Sequence, residues 1–156
     1  MIRLGKLTDY AVVVLVAMGH RPGHTHTVAR LAEDTGVPAP TVSKVLKLLT
    51  SSALTSARRG ANGGYALART AESITIADIV IALDGPIALT ECVGGHDTAC
   101  GVGGACSMRG NWDKINRAIR HALEDVTLAD MMAPPEWARP YASPSSARAV
   151  GTVSSL

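Results

Sequence analysis

Apolar side chains recur at helical spacing in several stretches of the chain, and turn residues separate these stretches. The stretches predict helices over 9–19, Val28–Thr35, 41–51, 76–83 and 111–126. Because the first is apolar on all sides, we expect it to be buried. The third has the clearest stripe, whose members stand three and four residues apart: Val42, Val45, Leu46 and Leu49.

Between the third and fourth helices the pattern changes to two short strands joined by a glycine turn. Strands are expected over 54–57 and 65–68, and the Asn-Gly-Gly sequence at 62–64 is typical of a tight hairpin. Helix, turn, helix and hairpin in this order indicate a winged helix-turn-helix. We therefore expect a mainly α fold, with a winged helix-turn-helix DNA-binding domain and a long C-terminal dimerisation helix.

The last predicted helix has its own stripe of apolar side chains: Trp112, Ile115, Ile119, Ala122 and Val126. Such a stripe on a long helix suits pairing with the same helix of a second copy. Ordinary packing within one chain would produce the same pattern. After Met132 the composition shifts to Pro, Ser, Ala and Arg, which predicts a disordered tail because few core-forming residues are left.

Composition changes this picture mainly through the distribution of charge. The 156 residues are 47% hydrophobic and contain no Phe, so an aliphatic core is expected, in one principal domain or two small ones. The net charge is only +2, yet no acidic residue occurs between Asp34 and Glu72. That acid-free stretch contains Lys44, Lys47, Arg58, Arg59 and Arg69. A local basic patch in a near-neutral chain indicates an anionic partner such as nucleic acid.

The predicted helix-turn-helix places particular side chains toward DNA. The second helix of such a pair enters the major groove with its N-terminal part, and the wing approaches the backbone or the minor groove. The residues expected to face DNA are Thr41, Ser43, Lys44, Lys47, Arg58 and Arg59. A helix-turn-helix scaffold without a DNA role is the alternative. No nucleophile–base pair or phosphate-binding loop is evident, so we do not expect an enzyme.

The N-terminal segment imitates a signal peptide, because Arg3 and Lys6 precede the apolar run 11–18. The run is far shorter than the roughly 20 residues of a membrane span. The odd number of cysteines, 3, argues against the disulfide framework of a secreted protein. We therefore expect a cytoplasmic protein that does not bind membranes.

All three cysteines, Cys92, Cys100 and Cys106, lie in one glycine-rich loop. Their spacing differs from the paired knuckles of zinc sites and from ferredoxin-type runs, which disfavours zinc. Three thiolates could hold one iron–sulfur cluster, and two of them could instead form a reversible disulfide. A fourth ligand would come from an exogenous thiol, another subunit or one of Glu91, His96 and Asp97. The histidines at 20, 24 and 26 fit no ligand pattern and are interpreted as loop composition.

Three features in combination resemble the IscR/NsrR-type winged-helix regulators: RLGKLTDYA at 3–11, RRGANGGY at 58–65, and the three-cysteine loop followed by Trp112. The stretches PTVSKVLKLL at 40–49 and GPIALTEC at 85–92 look most like the branch that regulates the Suf iron–sulfur assembly operon. The resemblance covers residues 1–132.

The resemblance implies a homodimer with one iron–sulfur cluster per subunit, ligated by Cys92, Cys100 and Cys106. Family members with a histidine as fourth ligand carry it three residues after the last cysteine, where this chain has Arg109. Nitric-oxide-sensing members use an N-terminal aspartate of the partner subunit, and Asp9 matches that position. A helix N-cap is the alternative role for Asp9. The fourth ligand and the cluster type, 2Fe-2S or 4Fe-4S, both stay open.

By position, Ser43, Lys44 and Arg59 match DNA-contacting residues of the family. Ser43 and Lys44 differ in type from the best-known branch, which implies a different operator. The resemblance thus implies a transcriptional repressor of Suf genes that binds a double-stranded DNA operator and senses cluster status. A thiol-redox or zinc-binding regulator or interaction protein of the same fold, or a nitric-oxide-sensing repressor, is the alternative.

Four segments are expected on this basis. Residues 1–85 form the DNA-binding domain and 86–110 the cysteine-rich cluster-binding loop. Residues 111–132 form the dimerisation helix with a terminal helix turn, and 133–156 the disordered tail.

Overall fold

The computed structural model describes residues 3–90, 93, 106, 108 and 110–134. This part of the chain consists mainly of helices, with one small two-stranded sheet. The elements are α1 Lys6–Gly19, α2 Val28–Thr35, α3 Ala39–Ser51, β1 Thr55–Arg58, β2 Gly64–Leu67, a 3₁₀ turn Ala71–Ser73, α4 Ile76–Asp84, α5 Asn111–Glu124 and α6 Leu128–Met132. The predicted mainly α, winged-helix architecture is confirmed, and residues 135–156 of the predicted tail lie outside the described part.

Local sequence features explain both ends of α2 and the start of α3. The Thr27 hydroxyl accepts a hydrogen bond from the Arg30 backbone N–H at 3.2 Å, and Gly36 ends α2 with a φ of 72°. Helix α2 therefore has the predicted bounds. Helix α3 starts at Ala39, two residues before the prediction, because Pro40 fits the first turn of a helix, where no backbone donor is needed.

Helix α1 begins earlier than predicted, and Asp9 is not its cap. The N-cap is Gly5, whose carbonyl accepts from the Thr8 and Asp9 backbone N–H groups at 3.0 and 3.1 Å. The Asp84 carboxylate, at the end of α4, accepts from the Gly5 N–H at 3.3 Å and from the Thr8 hydroxyl at 2.7 Å. The N-cap interpretation of Asp9 was therefore wrong, because a carboxylate distant in sequence satisfies the start of the helix.

Helix α1 is the centre of the core and packs against α2, α3, α4, α6 and β2. Its buried apolar positions are Ala11, Val14, Leu15 and Met18, and the facing side chains from the other helices are aliphatic as predicted. The expectation that α1 is buried on all sides was wrong for one face, since Val13 is exposed.

The hairpin forms the wing, with Thr55 opposite Leu67 and Arg58 opposite Gly64. Each strand is displaced by one residue from its prediction. His26 pairs with Tyr65 through two backbone hydrogen bonds of 2.7 and 2.8 Å, which extends the sheet to the α1–α2 loop. A side chain at Gly64 would place its Cβ 2.6 Å from the His26 carbonyl oxygen, so this close approach requires glycine.

Helix α5 ends at Glu124, and the chain then returns to the core. The Ile76 N–H donates to the Val126 carbonyl at 2.9 Å, and the Leu128 N–H donates to the Ile74 carbonyl at 2.8 Å. Thr127 and Asp130 form a capping box at the start of α6. Leu128 is fully buried in the same core cluster as α1. No helix of the described part is long and apolar enough to cross a membrane.

The substitution Leu128→Ala is expected to lower the free energy of unfolding by about 2–5 kcal/mol, because it leaves a cavity in the core beneath α6. Met131→Ala on the same short helix is the control: Met131 is 47% exposed, and the expected change is within about 0.5 kcal/mol. Urea denaturation measures both values. Equal effects of the two substitutions would contradict the assignment of α6 to the core.

Candidate nucleic-acid interface and cysteine loop

The face of α3 opposite its core stripe carries the residues predicted to face DNA. Thr41 and Ser43 are half-buried near the start of the helix, whereas Lys44 and Lys47 are exposed. The buried stripe of Val42, Val45, Leu46 and Leu49 fixes the rotation of α3 about its axis. Hydroxyl and ammonium groups therefore project from one accessible surface, as recognition of base edges and phosphates requires.

The wing adds two exposed arginines to the predicted interface. Arg58 ends β1 and Arg59 begins the turn. The turn is tight, because a Cβ at Gly63 would lie 2.5 Å from the Arg58 carbonyl oxygen. The Thr25 hydroxyl donates to the Asn62 carbonyl at 3.4 Å, which ties the wing turn to the α1–α2 loop.

The four basic side chains of the predicted interface have no carboxylate partner among the described residues. Within the described residues, no ion pair is formed by Lys44, Lys47, Arg58 or Arg59. Other basic residues of the same domain are paired: Arg30 lies 2.9 Å from Asp34, and Arg69 lies 2.9 Å from Asp78. No neighbouring carboxylate among the described residues offsets the positive charge of these four side chains. They can therefore attract an anionic ligand such as the phosphate backbone.

His26 is a structural residue that the sequence interpretation missed. It is only 5% exposed, and its Nε2 atom has no hydrogen-bond partner in the described part of the chain. Burial is the main cause that lowers the pKa of His26, so the neutral ring is favoured. No group of three His, Cys, Asp or Glu side chains suited to a metal occurs among the described residues.

Most of the cysteine loop lies outside the described residues, including Cys92, Cys100 and the candidate ligand His96. Of the predicted ligands in this loop, only Cys106 is described, as a half-buried free thiol. Val93, next to Cys92, is buried. The described part therefore gives the two points at which the loop meets the rest of the protein, and not the arrangement of its thiols.

Asp9 lies in a different place, at the far end of α5 from the cysteine loop. Its exposed carboxylate lines a largely apolar groove of about 1000 Å³ together with Leu123 and Val126. The cysteine loop joins the other end of α5, at Asn111. At 1.5 Å per residue, about 18 Å of helix separates Asn111 from Leu123.

The apolar stripe of α5 is largely open to solvent in the single chain. Ile115 is 48% exposed, Trp112 and Val126 are also exposed, and Ile119 is half-buried. The buried residue of α5 is instead Asn116, which borders the stripe one helical turn from Trp112 and Ile119. Packing within one chain therefore leaves most of this stripe uncovered by the described residues.

Comparison with known proteins places this arrangement in a family. The model of the Rrf2 family, described as iron-dependent transcriptional regulators, matches residues 4–134. The chain belongs to the Rrf2 family. It is 31% identical over 130 residues to Rv1287 of Mycobacterium tuberculosis strain ATCC 25618 / H37Rv, an HTH-type transcriptional regulator by name, covering 83% of this chain and 80% of that one. Membership makes the protein a DNA-binding transcriptional regulator, and its relatives are regulators, not enzymes.

Solved structures agree on the fold. CymR (YrzC), the global cysteine regulator of B. subtilis, superposes with a TM-score of 0.66 at 23% identity, covering 85% of this chain and 97% of that one. IscR of T. potens gives a TM-score of 0.62 at 24% identity, covering 84% and 86%. Staphylococcus aureus CymR, solved in an oxidised form, gives 0.61 at 19% identity, covering 85% and 98%. Because these identities are below 25%, the similarity shows only that the chain shares the winged-helix fold of these structures.

The triple substitution Lys44→Ala, Arg58→Ala, Arg59→Ala is expected to weaken binding to a random-sequence DNA duplex at least about tenfold. The slope of log K against log salt should also become shallower, by about 0.9 for each phosphate that the variant no longer neutralises. Fluorescence anisotropy at several salt concentrations measures both quantities.

The matched control removes the same charge from ion-paired residues, with the substitutions Arg30→Ala, Arg69→Ala and Arg120→Ala. We expect the control to keep most of the affinity and nearly the full salt slope. If both triple variants lost affinity equally, net charge alone would account for binding and the interface would be wrongly assigned.

Proposed function

We propose that this Rrf2-family regulator is a cytoplasmic repressor of Suf-type iron–sulfur assembly genes that senses the cluster through Cys92, Cys100 and Cys106. The observation that carries the proposal is the position of these thiols. All three lie in the loop that connects the α1–α4 DNA-binding unit to the exposed helix α5. A ligand held by that loop is therefore placed to change how the unit sits relative to α5.

The donor set fits an iron–sulfur cluster, of type 2Fe-2S or 4Fe-4S. Thiolates are soft ligands that select such clusters over hard cations, and Cys106 is half-buried with a free thiol. When bound, the cluster supplies a redox-active iron centre whose presence reports the supply of assembled clusters. The protein's own contribution is to hold the loop by Val93 on one side and α5 on the other.

The exposed stripe of α5 supports a homodimer in which the two α5 helices pair in antiparallel orientation. Burial of Trp112, Ile115 and Val126 against a second copy would remove these apolar side chains from water. Antiparallel pairing brings the N-terminal end of one α5 beside the C-terminal end of its partner. Asp9, which lies at the C-terminal end, then faces the cysteine loop of the partner subunit.

We therefore propose Asp9, donated across the dimer, as the fourth ligand, with His96 as the less favoured candidate. Donation in trans is supported by the position of Cys106, because about 18 Å of α5 separates Asn111, which follows Cys106, from the groove containing Asp9. The Asp9 carboxylate is exposed and is not used as a helix cap, so it is free to ligate.

On the operator, the residues of α3 and the wing perform distinct tasks. Ser43 and Lys44 would contact base edges in the major groove, and Thr41 and Lys47 would contact phosphates. Arg58 and Arg59 would hold the flanking backbone or enter the minor groove. Because a dimer reads two half-sites at fixed spacing, a small change in the separation of the two units alters affinity.

A thiol-redox regulator of the same fold is the second candidate. It is favoured by the free thiol of Cys106 and by the existence of an oxidised form of the structurally similar S. aureus CymR. In that case two of the cysteines would form a reversible disulfide in place of holding iron. The two candidates differ in iron content and in the response of metal-free protein to oxidation.

Anaerobically purified protein is expected to contain iron and sulfide and to bind the promoter of the assembly genes at least about tenfold more tightly than the metal-free form. The serine variant of all three cysteines should contain no iron and should bind DNA like the metal-free protein. Absorption spectra, iron analysis and anisotropy give these values. Equal promoter affinities of loaded and metal-free protein would remove the sensing role. An oxidation-dependent affinity in metal-free protein would support the thiol switch.

Subunit mixing tests donation of Asp9 in trans. Asp9→Ala and Cys106→Ser homodimers should each lose most of their cluster, but heterodimers contain one complete site if the ligand crosses the interface. After random exchange of equal amounts, half of the dimers are mixed, so iron should return to about a quarter of the wild-type content. Glu33→Ala, which removes an exposed carboxylate from α2, is the control and should keep all its iron. No recovery on mixing would place the ligand within one subunit.

A further inference from the structure

Helix α5 has one buried polar side chain, Asn116, which is 8% exposed and borders the exposed stripe, one helical turn from Trp112 and Ile119. Its Nδ2 atom donates to the Ile87 carbonyl at 2.9 Å, and its Oδ1 atom accepts from the Leu89 backbone N–H at 3.2 Å. Both partners belong to the short segment that leads from α4 to Cys92. The side chain therefore joins the start of the cysteine loop directly to α5.

The two hydrogen bonds of the Asn116 side chain resemble those that a neighbouring β-strand would form. The carbonyl of one residue and the N–H of the residue two positions later are satisfied by a single amide group, as a neighbouring strand would satisfy them. Asparagine is a poor residue for a helix interior, and these bonds account for its presence there. Loss of the amide would leave two backbone groups of a half-buried segment without partners.

The other end of the same segment is tied to α1. The Asp84 carboxylate accepts from the Thr8 hydroxyl at 2.7 Å and from the Gly5 N–H at 3.3 Å. Residues 84–89 thus connect the first turn of α1, which contains Asp9, to the middle of α5. A displacement at the start of the cysteine loop is passed through Asn116 to α5, and not only along the backbone.

We propose that Asn116 is a positioning residue that couples the cysteine loop to the orientation of α5 relative to the DNA-binding unit. The inference deepens the proposed function and depends on it, because it concerns how cluster loading reaches the DNA. The hydrogen bonds of the Asn116 side chain go to neither the described thiol nor the DNA-facing residues of α3 and the wing. Its role is to transmit a change, not to bind iron or DNA.

The test variant is Asn116→Asp, which has the same shape but cannot donate to the Ile87 carbonyl and repels it. The aspartate still accepts from the Leu89 N–H, so exchange is measured in Asn116→Ala, where we expect the amide hydrogen of Leu89 to exchange at least about tenfold faster in metal-free protein. We also expect the ratio of loaded to metal-free promoter affinity to fall to within about twofold of one. Iron content and the dimeric state should stay at wild-type values, because neither the thiols nor the exposed stripe of α5 is altered.

The matched control is Asn111→Asp, the same chemical change at an exposed position of α5, where the side chain contacts only Met108 among described residues. This control should keep the wild-type affinity ratio and Leu89 exchange rate. If the aspartate variant does not fold, Asn116→Ala replaces it in the affinity measurement, because it removes both hydrogen bonds without adding charge. Wild-type Leu89 exchange is measured in the same experiment, and an unprotected Leu89 amide in wild-type protein would by itself overturn the proposal.

The outcomes separate this inference from the proposed function. If wild-type protein bound the promoter equally in loaded and metal-free forms, cluster sensing itself would fail. If wild-type protein responded to the cluster and Asn116→Ala responded equally, despite faster Leu89 exchange, the two hydrogen bonds of Asn116 would stabilise the segment locally without a coupling role. A lost response together with faster exchange at unchanged iron content is the result that supports the coupling.

Discussion

The burial of one face of α1 is the constraint on which the rest of the structure depends. Val14, Leu15 and Met18 are almost fully buried, and they pack against elements from both halves of the described chain. Because α3, the wing and α6 all rest on this helix, the DNA-facing surface has little freedom to change shape internally. Any regulation of DNA binding is therefore expected to act on the position of the whole unit.

Polar pairs at the margins of the core extend this rigid unit. His26 joins the wing to the α1–α2 loop through the backbone, Thr127 caps α6 beside α4, and Asp84 fixes the first turn of α1. Each of these pairs satisfies backbone groups that would otherwise be left at an element end. The connection to α5 is less extensive, and among the described residues its side-chain hydrogen bonds to the segment after α4 come from Asn116. The structure thus consists of a well-packed unit and the helix α5, which packs mainly against α4.

Local signals predicted the parts of the fold that local chemistry determines. The stripe of α3, the cap at Thr27 and the glycine turn of the wing located the helix-turn-helix and the hairpin to within about two residues. The start of α1 was missed because its partner, Asp84, is distant in sequence. The roles of His26 and Asn116 were missed for the same reason, since both depend on contacts between separate elements. Periodicity could not decide whether the stripe of α5 is buried within the chain, because both arrangements have the same spacing.

The DNA-facing basic residues and the proposed cysteine sensor lie in separate parts of the chain. This separation limits how iron could control transcription. The basic residues of α3 and the wing have no acidic partners among described residues, so no ion pair there is available for a ligand to make or break. A cluster bound between α4 and α5 cannot change the patch itself, because the core holds α3 and the wing in place. In the proposed dimer, a cluster could instead change the placement of two such patches on DNA, where helix-turn-helix dimers read half-sites about 34 Å, or a multiple of that distance, apart. Control through spacing would need a physical connection between the loop and both helices, and residues 84–89 are hydrogen-bonded to α1 at one end and to α5 at the other.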